Sequence, residues 1–338
     1  MTSRYSRQEL FSPIGYEGQQ KICQKHVLIV GAGALGSGNA EMLARAGIGK
    51  ISIVDRDYVD WSNLQRQQLY CEEDVREHLP KAVAAKRRLE AINQEVKVEA
   101  FVQDLTPSGL SAFQHVDLII DATDNFETRF LLNDFAVKHN IPWIYGACVG
   151  SYGITYTILP HQKPCLNCLM KTLPLGGATC DTSGIIAPTV AQVVSYQVTE
   201  ALKILVEDWD ALRNELVSFD SWKNEFSKIN VNLLKQDTCQ TCGVNPTYPY
   251  LSNYSLSKVA VLCGRNTVQI RPAKYQAIDV KQYEKYLAPH VQNIHCNPYL
   301  LHCQIDQYKL VLFADGRVLI HGTNDVAEAK NIYYRYFA

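Results

Sequence analysis

The stretch Val27-Leu-Ile-Val30-Gly31-Ala-Gly33-Ala-Leu-Gly36 constrains the fold of this chain more than any other. A short apolar run that ends in glycine and passes into a helical pattern is the strand–turn–helix that opens a dinucleotide-binding α/β fold. Gly31 permits the tight turn, Gly33 lets the backbone approach a phosphate, and Gly36 lets the helix pack close to the strand. Amides at the helix start, together with the helix dipole, attract an anion. A second apolar run, Ile51-Ser-Ile-Val54, ends in Asp55, where a carboxylate can accept hydrogen bonds from ribose hydroxyls. The pattern specifies a nucleotide and leaves ATP and a nicotinamide cofactor both open.

A chain of 338 residues suits one large domain and a smaller one. Its net charge of −1 gives no electrostatic footprint for nucleic acid or an acidic surface. The N-terminal residues lack an apolar core, and no apolar run is long enough to span a bilayer, so a cytoplasmic protein is expected. Eleven cysteines, an odd number, then point to metal ligation or catalysis rather than to a disulfide framework.

Along the chain, Arg4-Tyr-Ser-Arg7-Gln8 precedes the first strand. A helix is expected from about Leu35 to Ala46, stopped by Gly47. The segment Asp55 to Gln67 gathers acids, amides and an arginine just after a strand's carboxyl end, where α/β proteins bind ligands. Pro80-Lys81 leads a helix to about Ile92, and Val96–Val102 alternates as a strand. Val116–Asp121 reads as a fully buried parallel strand running into Ala122-Thr-Asp124-Asn125, with a helix from about Glu127 to His139. Pro142–Tyr145 and Ser151–Leu159 read as a parallel strand followed by an antiparallel one, with Gly146–Gly150 as the turn. A long helix is expected from Ala187 to about Leu205, then a hairpin of Leu216–Phe219 and Phe226–Val231. After a linker near 244–252 comes a small α+β module with strands near Val259–Leu262, Thr267–Ile270, Leu300–Gln304, Lys309–Phe313 and Val318–Ile320, and helices near Val280–Leu287 and Asp325–Tyr336.

Cys165-x2-Cys168 and Cys239-x2-Cys242 are two knuckles, each able to present two thiolates to one tetrahedral ion. Together they complete an all-cysteine zinc site that leaves no ligand position open and is therefore structural. Asp55, Asn63, Arg66, Lys81, Asp124 and the glycine turn combine hydroxyl acceptors, phosphate-binding cations and a carboxylate able to hold Mg2+. Hydride transfer needs no such cations, whereas attack on an α-phosphate does. Arg87 and Arg88 read as solvated surface charge. Cys180, in a glycine-flanked stretch, reads as an exposed reactive thiol, and Cys148 and Cys263 have weaker claims.

These residues resemble the bacterial ubiquitin-activating-enzyme-like adenylyltransferases of the MoeB and ThiF type over about residues 1–245, with 246–338 as an additional module. The shared features are Arg4-Tyr-Ser-Arg7-Gln8, the glycine turn, Asp55-Arg-Asp57, Ser62-Asn63-Leu-Gln65-Arg66-Gln67, Pro80-Lys81, Asp121-Ala-Thr-Asp124-Asn125, Cys180 with Gly184-Ile-Ile-Ala-Pro188, and the two cysteine knuckles. The resemblance implies that MgATP and the Gly-Gly tail of a ubiquitin-like sulfur carrier are bound, and that the tail carboxylate attacks the α-phosphate. By position, Asp55 holds the ribose, Asn63, Gln65, Arg66 and Lys81 contact the nucleotide, and Asp124 holds Mg2+. Arg7 reaches into the partner's site of a homodimer, and Cys180 bonds covalently to the carrier. The carrier is MoaD-like or ThiS-like, with a lean towards MoaD, and a cysteine desulfurase is the expected sulfur donor. Cys71–Leu79 is longer than the family pattern, and the C-terminal module shows no rhodanese-type cysteine loop.

The expected fold is therefore a Rossmann-like, doubly wound, mostly parallel sheet with an antiparallel extension, a four-cysteine zinc site and a small C-terminal α+β module. Two competing readings share its first unit: an NAD-dependent oxidoreductase and a non-catalytic zinc-binding scaffold.

Overall fold

Three neighbouring strands end in register, and that alignment builds the edge on which the candidate site stands. In the computed structural model, which describes residues 4–171, 183–252, 259–262, 266–271 and 277–337, Val30 pairs with Val54 on one side and Asp121 on the other. Gly31, Asp55 and Ala122 therefore stand side by side at the strand ends. Cys180 and Cys263 lie outside the described residues.

The described residues fall into two compact units, one of residues 4–75, 80–171 and 183–252, the other of residues 76–79 and those from 259 onward. The first unit holds an eight-stranded sheet ordered β3-β2-β1-β4-β5-β6-β7-β8. Strands β1 (His26–Val30), β2 (Lys50–Asp55), β3 (Lys97–Val102), β4 (Leu118–Asp121) and the start of β5 (Trp143–Val149) pair in parallel. Strands β6 (Tyr152–Ile158), β7 (Glu215–Asp220) and β8 (Glu225–Asn230) continue antiparallel. β1 and β4 are almost wholly buried, as expected of strands covered on both faces.

Helices Ala34–Ala46, Lys81–Ile92, Phe126–Lys138 and Ala187–Val206 connect or cover these strands. The last buries Val190, Val193, Val194, Val198, Ala201 and Leu205 at helical spacing, packing on β5, β6 and the helix Ala34–Ala46. Trp143, Tyr145 and Tyr156 form a core with Leu131, Leu132 and Phe135 of the helix Phe126–Lys138. The segment Gly146–Gly150 is not a turn throughout. β5 continues to Val149, pairing Gly146 with Thr155 and Val149 with Tyr152, and only the tip turns. Small residues there hide a strand whose partner, β6, decides its conformation.

The second unit is a six-stranded antiparallel sheet ordered β11-β12-β13-β14-β10-β9, formed by β9 (Val259–Leu262), β10 (Thr267–Ile270), β11 (Gln292–Cys296), β12 (Leu300–Ile305), β13 (Tyr308–Phe313) and β14 (Val318–His321). Helices Val280–Leu287 and Val326–Tyr336 cover one face over Leu301, Cys303, Leu310, Leu312, Val318 and Ile320. Residues 76–79 belong to this unit: Asn297 Nδ2 donates to the carbonyls of Glu77 and His78, and the His78 ring stacks on His302. Among the described residues no helix is long and apolar enough to cross a membrane.

Candidate functional site

The glycine turn is enforced by packing at two of its three glycines. Gly31 has φ +92°, and a Cβ there would meet the Ala122 carbonyl oxygen at 2.4 Å. A Cβ on Gly36 would meet the Gly31 carbonyl oxygen at 1.8 Å. At Gly33 a Cβ would find nothing nearer than Gln67 Nε2 at 3.9 Å, so the protein's own packing does not require a glycine there. Gly33 caps the helix Ala34–Ala46 without any side-chain cap, which leaves that helix start for an external acceptor.

Asp55 stitches the turn to the sheet. Its Oδ2 accepts from the Ala32 amide at 2.6 Å and its Oδ1 from the Asp57 amide at 2.6 Å. Burial pushes its pKa upward, opposed by Lys81 and by these two amides. Lys81, only 4% exposed at the start of its helix, places Nζ 3.0 Å from Asp57 Oδ2. Tyr70 donates to the carbonyls of both Ala32 and Lys81, at 2.5 and 3.2 Å. One buried hydroxyl thus clamps the glycine turn to the lysine helix, and burial raises its pKa well above the usual phenol value.

The turn after β2 carries the next group. Asn63 Oδ1 accepts from the Asp60 amide at 3.0 Å, closing a capping box around the 3-10 turn Trp61–Asn63. Arg66 Nη1 donates to the Ser62 carbonyl at 2.7 Å, and its side chain is half-buried. Gln65 is exposed and donates to the Ile185 carbonyl. Gln67 is buried, with its Oε1 unpartnered among the described residues.

At the exit of β4, Asp124 is exposed, and Asn125 caps the next helix by accepting from the Thr128 amide at 2.9 Å. Arg56, held 3.1 Å from Asp104, and the buried Arg129 both lie in the field of Asp124. The structure thus brings Gly31, Gly33, Gly36, Asp55, Lys81 and Asp124 to the aligned strand ends, with Asn63, Gln65 and Arg66 on the turn that follows β2. Arg7 is elsewhere. Its neighbour Gln8 donates to the carbonyl of Ala46, the last residue of the helix that Gly33 begins, about 20 Å away by helix rise.

The four knuckle cysteines meet. Their sulfurs all lie within 4.8 Å of one another, and the four residues are buried. Cys165 Sγ is 3.6 Å from Cys239 Sγ, and Cys168 Sγ is 3.5 Å from Cys242 Sγ. These are too long for disulfides and close to the roughly 3.8 Å between thiolates at the corners of a zinc tetrahedron. The second knuckle is tied to the helix Phe126–Lys138 through Thr241, which donates to Asp134 Oδ1, while Asp134 Oδ2 accepts from the Tyr250 amide at 2.8 Å.

Tyr70, Asp57 and Arg129 were not marked as site residues by sequence. Asp57 stands within a quoted motif and was accessible to that reading. Tyr70 and Arg129 give no spacing signal.

A model of the ThiF family matches residues 5–241. Over 338 residues, 99% of each chain, the sequence is 53% identical to the sulfur carrier protein ThiS adenylyltransferase of Bacillus subtilis. It is 38% identical to a sulfur carrier protein adenylyltransferase of Thermus thermophilus over 74% of this chain and 94% of that one. The crystal structure of Escherichia coli MccB with ATP superposes with a TM-score of 0.62 at 23% identity, covering 72% of this chain and 74% of that one, a likeness of fold.

Proposed function

Because the chain belongs to the ThiF family, we propose that it adenylylates the C-terminal Gly-Gly carboxylate of a small ThiS-type sulfur carrier protein, releasing pyrophosphate from ATP. The observation that carries this reading is the row of Gly31, Asp55 and Ala122 at aligned strand ends, with Lys81 and Asp124 beside it. The full-length relative named for ThiS favours that carrier over the MoaD type to which the sequence alone leaned.

A carboxylate is already ionised at neutral pH, so its attack on phosphorus needs no general base. The protein must instead hold two anions together and absorb charge as pyrophosphate departs. In this reading the uncapped start of the helix Ala34–Ala46 receives phosphate, and Asp55 takes the ribose with lone pairs beyond the two that its amides use. Asn63, Arg66 and Lys81 face the phosphates, Lys81 steadied by Asp57, and Gln65 contacts the nucleotide. A tail oxygen bonds to the α-phosphorus, the bond to the bridging oxygen breaks, and pyrophosphate leaves with the electron pair.

Asp124 would hold Mg2+, which supplies charge neutralisation on the phosphates. Its exposed carboxylate, just past the end of β4, offers the hard oxygen donors that this ion prefers. The four-cysteine cluster has the donor set and spacing for zinc.

Arg7, at the far end of a helix from its own glycine turn, suits a site in a second copy, and the exposed Leu10, Phe11 and Tyr16 near it suit a homodimer contact. Cys180 is the thiol assigned to a covalent carrier intermediate, a cysteine desulfurase the sulfur donor, and the cytoplasm the compartment. The hydride-transfer alternative is not favoured, since the relatives at 53% and 38% identity are both named adenylyltransferases.

The test is ATP–pyrophosphate exchange with purified carriers. A ThiS-type carrier should support exchange, a MoaD-type carrier should support less, and a ThiS-type carrier lacking its Gly-Gly tail should support none. Undiminished exchange with the truncated carrier overturns the proposal.

A further inference from the structure

We propose that Arg129 is a positioning residue for this reaction: by bridging the carbonyls of Thr123 and Gly146, it fixes the backbone that presents Asp124. The inference rests on the reading of Asp124 as the magnesium ligand.

Arg129 lies in the first turn of the helix Phe126–Lys138, with its side chain 7% exposed and that of its ion-pair partner Asp121 0%. Its Nε donates to Asp121 Oδ2 at 3.0 Å, and its Nη2 donates to the Thr123 carbonyl at 2.6 Å and the Gly146 carbonyl at 3.1 Å. The other carboxylate oxygen, Asp121 Oδ1, accepts from the Thr123 amide at 2.9 Å and from Thr123 Oγ1 at 2.7 Å. The guanidinium also stands over the rings of Tyr145 and Phe126, at 5.1 and 5.4 Å.

These bonds fall where the sheet stops holding itself. β4 and β5 pair only at Ile119–Trp143 and Ile120–Ile144. Beyond that, β5 pairs with β6 alone; Gln197 Nε2 bridges the Asp121 and Ile144 carbonyls at 3.0 and 3.4 Å, and two residues further on Arg129 bridges those of Thr123 and Gly146. The consequence for Asp124 follows from peptide planarity. Fixing the Thr123 carbonyl fixes the plane that ends at the Asp124 Cα, and fixing the Thr123 amide fixes the plane before it. Asn125, bonded to the Thr128 amide, fixes the chain on the other side. The Asp124 carboxylate itself accepts from Asn125 Nδ2 at 3.4 Å.

Stability alone is a poor reason for this pair. A buried ion pair is often no better than apolar residues of equal volume. Apolar residues, however, could not grip two carbonyls on diverging strands, and a lysine could keep the charge without the fork.

The test compares wild type with Arg129→Lys, Thr123→Val, Asp124→Asn and the core variant Leu131→Ala, which lies in the same helix. Three quantities are read: the thermal midpoint, the magnesium concentration giving half-maximal exchange, and equilibrium Mn2+ binding by electron paramagnetic resonance with α,β-methylene-ATP present. Arg129→Lys should weaken both metal readouts by about tenfold, as the loss of an outer-shell partner does. Thr123→Val, a milder change that keeps the pair, should weaken them by about threefold. Leu131→Ala should lower the thermal midpoint and leave both metal readouts near wild type. If Thr123→Val and any folded Arg129→Lys bind metal as wild type does, or if Leu131→Ala shifts metal binding equally, Arg129 is only structural. If Asp124→Asn leaves Mn2+ binding unchanged, the magnesium reading falls too. If it alone abolishes binding, only the role of Arg129 falls.

Discussion

Arg66→Ala should fold as wild type and lose carrier-dependent ATP–pyrophosphate exchange by about 10²–10³-fold, the usual effect of deleting one preorganised donor to transition-state charge. The structure separates these two effects at Arg66 more cleanly than at any other cation of the site. Its one side-chain hydrogen bond among the described residues is to the Ser62 carbonyl, and its side chain is half-buried. Truncation therefore leaves no buried charge behind and costs little stability. Lys81 is different. It lies 3.0 Å from Asp57 and is 4% exposed, so Lys81→Ala would take the counter-charge from a largely buried carboxylate and mix misfolding with lost chemistry. Because the guanidinium meets charge that grows as pyrophosphate departs, the loss should fall mainly on kcat, with the KM for ATP less affected. The comparison is made by exchange kinetics alongside thermal unfolding. An Arg66→Ala enzyme exchanging at the wild-type rate would remove Arg66 from the site.

Stripping the four-cysteine site should be the most damaging change to stability. Structural zinc bound by thiolates carries on the order of 10 kcal/mol of apparent free energy or more, and much of that is folding energy. Removing the ion would leave four buried thiols facing one another within 4.8 Å, and the loop carrying Cys239 and Cys242 would lose its anchor. The helix Phe126–Lys138 would feel the loss, since Asp134 grips Thr241 between those two cysteines, and Asp124 stands two residues before the same helix begins. Atomic emission should find one zinc per chain. Chelation under mild denaturation, or Cys239→Ser, should lower the unfolding midpoint by more than about 10 °C. A metal-free protein with an unchanged midpoint would contradict the assignment.

The parts of this architecture that were legible in sequence are those written in short-range patterns. The glycine turn, the buried run ending at Asp121 and the two cysteine knuckles each announce themselves within a few residues, and the strands they imply lie where expected. Gly146–Gly150 misled because glycine, alanine and cysteine carry no alternation, and the strand exists by pairing with β6. β11 escaped because Gln292-Asn-Ile-His-Cys296 is polar, and its register shifts against β12. Tyr70 serves the site through Ala32, 38 residues away, a relation that only the folded chain reveals. Arg129 reads as one more charge on a helix until the parting of β4 and β5 gives it two carbonyls to hold. Sequence thus announces the groups that meet the ligand better than the groups that hold those groups still.

The most direct test of attack by a carrier carboxylate on the α-phosphorus follows oxygen. A ThiS-type carrier labelled with ¹⁸O in its terminal carboxylate is incubated with the enzyme, ATP, magnesium and sulfide, and the AMP released is examined by mass spectrometry. If the carboxylate oxygen bonds to phosphorus and sulfide then displaces AMP from the acyl carbon, the AMP carries one heavy oxygen. AMP without label, formed while the carrier is consumed, would show that its phosphorus was attacked by something else.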